Sequence, residues 1–78
     1  MNNEYSVYQF FEDGSYERIK HFVSVKEATD TFAFFTHNVC SRVGLTKRVI
    51  ITDGGDATVA EWVYGKGLVW PRKEEEDT

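Results

Sequence analysis

Cys40 is the only cysteine in this 78-residue chain, so an internal disulfide is excluded and a reducing compartment is expected. Histidine is nearly as scarce: only His21 and His37 accompany that cysteine, too few for a His/Cys metal cluster. No apolar run approaches the ~18–20 residues needed to span a bilayer. Met1-Asn2-Asn3-Glu4 offers neither a basic start nor an apolar stretch, so no signal peptide is expected and the chain reads as cytoplasmic. Basic clusters are missing too. Nine Lys and Arg face thirteen Asp and Glu, for a net charge of −4. Residues 72–78 hold two cations and four anions, so the rest of the chain is near −2. That balance argues against general DNA binding, which draws on clustered cations and counterion release.

Aromatic residues, in contrast, are abundant: six Phe, four Tyr and two Trp. A chain this short forms one domain, here expected over residues 1–71, followed by a disordered charged tail over 72–78. A single core of this size supplies only ~3–5 kcal/mol. With disulfides excluded and a metal unsupported, oligomerisation is the remaining way to add stability.

Local signals outline the elements. Residues 5–11 are aromatic and β-branched and predict a strand. Asp13-Gly14 predicts a two-residue hairpin turn into a second strand over 16–23. Ser24-Val25-Lys26-Glu27 matches a capping box. The stripe Ala28, Phe32, Phe35, Val39, Val43 then predicts one continuous helix ended by a left-handed Gly44. Strands are expected over 46–52 and 57–64, joined by Asp53-Gly54-Gly55-Asp56. Leu68-Val69-Trp70 can add a short fifth strand before Pro71. The fold class is α+β, ββαββ(β): one helix on one face of a four- or five-stranded, mainly antiparallel sheet.

One helix cannot cover both faces of such a sheet. A two-residue loop at Asp13-Gly14 pairs Phe11 with Tyr16, Gln9 with Arg18, Val7 with Lys20 and Tyr5 with Phe22. This set has a polar middle and is expected to stay open, while Tyr8, Phe10 and Ile19 go under the helix. A two-residue loop at Gly54-Gly55 pairs Ile51 with Thr58, Val49 with Ala60 and Lys47 with Trp62, with Val49, Ile51 and Trp62 under the helix. The open face then holds Tyr5, Val7, Phe11, Tyr16, Arg18, Lys20 and Phe22 as the candidate interaction face, continued by Ile50, Val59 and Val63, with Arg48 and Glu61 among them. Its four aromatics reach the several hundred Å² that marks an interaction site on a soluble protein. Phe34 points away from the helical stripe into polar neighbours and is a possible second contact; an isolated exposed ring is equally ordinary.

No catalytic motif stands out. The chain has no P-loop, no GxGxxG and no paired-cysteine motif. Asp53-Gly54-Gly55-Asp56 lacks the oxygen ligands of a calcium loop and reads as a hairpin turn. Gly65-Lys66-Gly67 reads as a tight turn. Cys40 reads as a small residue at the margin of the helical stripe. His21 and His37 fall on different elements. Arg18 and Lys20 among Tyr5, Tyr16 and Phe22 share the ingredients of RNA-binding sheets, without that family's signature.

The run Arg48-Val-Ile-Ile-Thr-Asp-Gly-Gly-Asp56, with Glu61-Trp62 and Gly65-Lys66-Gly67, resembles a group of short uncharacterised bacterial proteins across most of residues 5–71. The resemblance implies a stand-alone small protein and carries no activity, cofactor or site. The expectation is therefore a non-enzymatic homodimer using its open aromatic face, without a cofactor or a membrane. One alternative is an acidic adaptor or antagonist of phage or mobile-element origin. Another is a single-stranded nucleic-acid binder.

Overall fold

The structure, a computed structural model, describes residues 3–70, with the side chain of Trp70 outside the description. The segment expected to form a charged tail, 72–78, lies outside the described residues. Five strands form one sheet: β1 (Tyr5–Phe11), β2 (Tyr16–Val23), β3 (Thr46–Thr52), β4 (Thr58–Val63) and β5 (Gly67–Trp70). Helices α1 (Val25–His37) and α2 (Val39–Val43) connect β2 to β3. The strand order is β2-β1-β3-β4-β5, and every neighbouring pair is antiparallel. The α+β fold class is the expected one.

The order decides what the helix covers. The connection from β2 to β3 crosses over β1, so α1 packs on β2, β1 and β3. Strands β4 and β5 follow as a meander beyond it. Val7, Ala28, Val49 and Ile51 form the core, with Tyr5, Ile19, Val23, Phe32, Phe35, Val59, Ala60 and Trp62 against it. The molecule is a slab of 35 × 34 × 19 Å, close to one sheet and one helix layer in thickness.

The expected β1 face is overturned. Tyr5 and Val7 lie under the helix, and Tyr8 and Phe10 take the opposite face. A polar middle did not keep the first set open, because Gln9 is satisfied where it is buried. Its amide nitrogen donates to Glu17 at 2.9 Å, and its oxygen accepts from the Thr46 hydroxyl at 3.1 Å. A buried polar side chain with both ends bonded carries little penalty.

The hairpin loop also differs from expectation. Phe11 N–H donates to Ser15 O and Gly14 N–H to Phe11 O, enclosing the three residues Glu12-Asp13-Gly14 with Gly14 at φ +92°. This is the three-residue alternative with glycine in the left-handed region. Phe10 therefore pairs with Tyr16, Gln9 with Glu17 and Tyr8 with Arg18. Two register shifts toward the far end restore Val7 opposite Lys20 and set Tyr5 opposite Val23.

The second hairpin repeats the device with Asp56 at φ +65°, closed by Asp53 N–H to Ala57 O. The expected pairs shift by two, to Val49 with Trp62 and Ile51 with Ala60. An even shift preserves the faces, so Val49, Ile51 and Trp62 remain under the helix. A further shift between Ile51 and Thr52 turns Val59 toward the core instead of the open face.

The single expected helix is two. Ser24 caps α1, its hydroxyl accepting from Glu27 N–H at 3.2 Å. Glu27 spends its carboxylate on Lys20 at 3.1 Å instead of completing the capping box. Asn38 is extended (ψ 179°), and its side-chain oxygen accepts from Ser41 N–H, starting α2 afresh. The Ser41 hydroxyl closes back on the carbonyl of Phe35. This break turns the stripe, leaving Val39 and Val43 exposed and burying Ser41. Gly44 ends α2 in the left-handed region as expected. A Cβ there would also meet the Tyr64 ring at 3.1 Å.

Candidate interaction face

The sheet face opposite the helices is built by alternation from β1, β2, β3 and β4. Val7, Val49 and Ile51 point toward the helix layer, so Tyr8 and Phe10 on β1 and Arg48 and Ile50 on β3 point away. Register adds Tyr16 and Arg18 opposite Phe10 and Tyr8, and Glu61 and Val63 opposite Ile50 and Arg48. None of the described residues forms a helix or strand over this face.

Tyr16 is its centre. The Tyr16 ring meets Tyr8 edge-on at 6.1 Å between centroids and Phe10 at 5.6 Å with a 40° tilt. Such pairs hold their rings in place, adding about 0.5–1.5 kcal/mol beyond burial. Arg48 lies 5.0 Å over the Phe10 ring while its Nε donates to Glu61 at 2.7 Å. Ile50 is buried between its register partners Tyr8 and Glu61. Tyr16 is 63 % exposed, and Arg18 beside it is also exposed.

At the far end of β2, His21 and Phe22 stack at 3.9 Å. Phe22 has φ +56° and no register partner on β1, and its N–H donates to the Ser6 hydroxyl at 3.3 Å. A bulky residue in the left-handed region is an outlier that its surroundings must enforce. Here the Ser6 bond and the packing of half-buried Val23 against the core enforce it, leaving Phe22 57 % exposed.

The expected interaction residues are thus divided. Tyr16 and Arg18 lie on the open face, and Phe22 lies exposed along its edge strand. Tyr5 and Val7 are core residues under the helix, Val7 fully buried. Lys20 is drawn to the helix side by Glu27. Phe11 lines a groove of about 420 Å³ with Glu12, Asp13, Cys40 and Leu45. Phe34, 62 % exposed, stands edge-on to Phe35 at 5.1 Å on α1, away from the open face. Tyr8 and Phe10 were missed as interaction residues. The sequence signal for them was Gln9 between two aromatics: a residue able to bond at both ends can occupy the buried side.

A second surface lies on the helix side, where α1 stops short of β4 and β5. It is a groove of about 370 Å³ lined by residues including Phe32, His37, Trp62 and Leu68. His37 is tied back to its own helix, with Nδ1 2.8 Å from Ala33 O. Among the described residues no group of three His, Cys, Asp or Glu side chains converges on one point. No described helix is long and apolar enough to cross a membrane. Asp13 has its carboxyl held below the usual range by the Ser15 hydroxyl and then the Ser15 backbone N–H, a turn contact at 2.6 and 2.9 Å.

No protein-family model, curated protein or solved structure matches this chain.

Proposed function

We propose that this protein is a small non-enzymatic interaction module whose binding surface is the open sheet face centred on Tyr16. The observation that carries the reading is the Tyr8–Phe10–Tyr16 ring cluster, flanked by Arg18 and Arg48 on a face with no covering element among the described residues. Aromatic residues and arginine are the types enriched at binding hot spots, where fixed rings bury area at low entropic cost. Single-strand nucleic-acid binding is the weaker reading. Tyr8 and Phe10 are engaged with Tyr16, and Arg48 covers Phe10, so Tyr16 is the one broadly exposed ring of the cluster for a base to stack on.

A photoreactive residue placed at position 16, and separately at position 68 in the helix-side groove, tests the reading in cells that express the protein. Covalent protein adducts are expected from position 16 and not from position 68. Absence of adducts from position 16 overturns the assignment of the face.

A further inference from the structure

The partner of this face follows from its size, its charge and what the monomer lacks, once the open face is taken as the binding surface. We infer that the partner is a second copy of this chain, packed sheet to sheet across a two-fold axis into an α/β/β/α sandwich.

Size is the first argument. The slab is 35 Å by 34 Å in outline, broad enough to supply the ~800 Å² per partner of a standard protein interface. Its 19 Å thickness leaves the sheet with one layer beside it instead of two. A second sheet at the usual ~10 Å spacing would close the open face.

The core is the second argument. Among the described residues the buried hydrophobics are Val7, Ala28, Val49, Ile50 and Ile51, with no aromatic among them. Small domains with so little buried area depend on a staple or on association. Cys40 is the only cysteine, which removes the disulfide staple and leaves association. A copy of the chain is always present with the chain, so it can serve as a permanent structural partner.

Charge is the third. The face carries Arg18 and Arg48 beside Glu61, with Arg48 already bonded to Glu61 at 2.7 Å. A face of one sign would repel its own copy, whereas mixed signs around an aromatic centre can be self-complementary across a two-fold axis. Edge-to-edge association is disfavoured. Strand β2 is interrupted by two register shifts and the left-handed Phe22, and β5 has only four residues. Bulges and short edge strands are poor templates for another strand.

Sedimentation equilibrium of the purified full chain tests the inference. A dimer of twice the 9.0 kDa monomer is expected, populated at about 100 µM, where micromolar affinities are visible. Tyr16→Glu and Arg18→Glu, both at exposed positions, should each weaken the dimer about tenfold or more with an unchanged far-UV spectrum. Leu68→Glu, in the helix-side groove, should leave the equilibrium unchanged. A monomer at that concentration, or a dimer indifferent to both open-face variants, overturns the inference. The cross-linking experiment separates it from the reading beneath it. Adducts from position 16 at masses other than twice the chain overturn self-association and keep the face. No adduct from position 16 overturns both.

Discussion

Phe22 illustrates how one residue can oppose its local preference. Its φ of +56° costs an L-residue roughly 1–2 kcal/mol, a cost that asparagine largely avoids. Phe22→Asn keeps the N–H bond to Ser6, so it is expected to raise the unfolding free energy by about 1 kcal/mol. Chemical denaturation of the two proteins checks this. A loss of stability would mean that stacking on His21 outweighs the backbone strain. Asp13 acts through protonation. Its folded pKa lies below the ordinary 3.8, chiefly because the Ser15 hydroxyl and backbone N–H bind the carboxylate. Its contribution is therefore complete above the unfolded pKa and disappears as pH falls through the lower, folded value. Wild type should melt above Asp13→Asn at neutral pH, and the difference should shrink toward zero in acid. A gap unchanged down to about pH 2, below ordinary carboxylate pKa values, would contradict the assignment.

The connecting elements show why a sequence pattern can be correct and still mislead. Ala28, Phe32, Phe35, Val39 and Val43 keep helical spacing, yet the chain starts a new helix at Asn38. An asparagine can cap from inside an apolar repeat, and the period alone does not register that competition. Asn38→Ala removes the acceptor for Ser41 N–H and is expected to cost about 1 kcal/mol. Amide exchange in residues 39–43 should accelerate more than in α1. Equal acceleration in both would show that α2 is an extension of α1. The hairpin loops carry the same lesson. Asp13-Gly14 correctly marked a turn, but a two-residue and a three-residue loop share that dipeptide. The choice between them shifted the pairing by one residue. At Gly54-Gly55-Asp56 the shift was by two, so most of that hairpin kept its expected faces.

For the whole molecule, a helix layer on only one face of five strands has energetic consequences. If the open face closes on a second copy, unfolding is linked to dissociation and the melting temperature rises with protein concentration. Over a hundredfold range of concentration the wild-type melting temperature is expected to rise from the dilute to the concentrated end, and Tyr16→Glu should flatten that dependence. A wild-type melting temperature independent of concentration would argue for a free-standing monomer.

Strand and turn positions, the Ser24 and Gly44 caps and the surplus of aromatics over one helix were legible along the chain. Each depends on residues within a few positions of one another, where propensity, capping and turn chemistry act. The face left open was not legible. It depended on Gln9 finding Thr46, 37 residues away, on Lys20 meeting Glu27 from another element, and on the route of α1 over β1. The Gln9–Thr46 bond exists only once β3 has docked beside β1, and together these tertiary contacts leave Tyr8, Phe10 and Tyr16 as the open cluster while Tyr5 and Val7 fill the core.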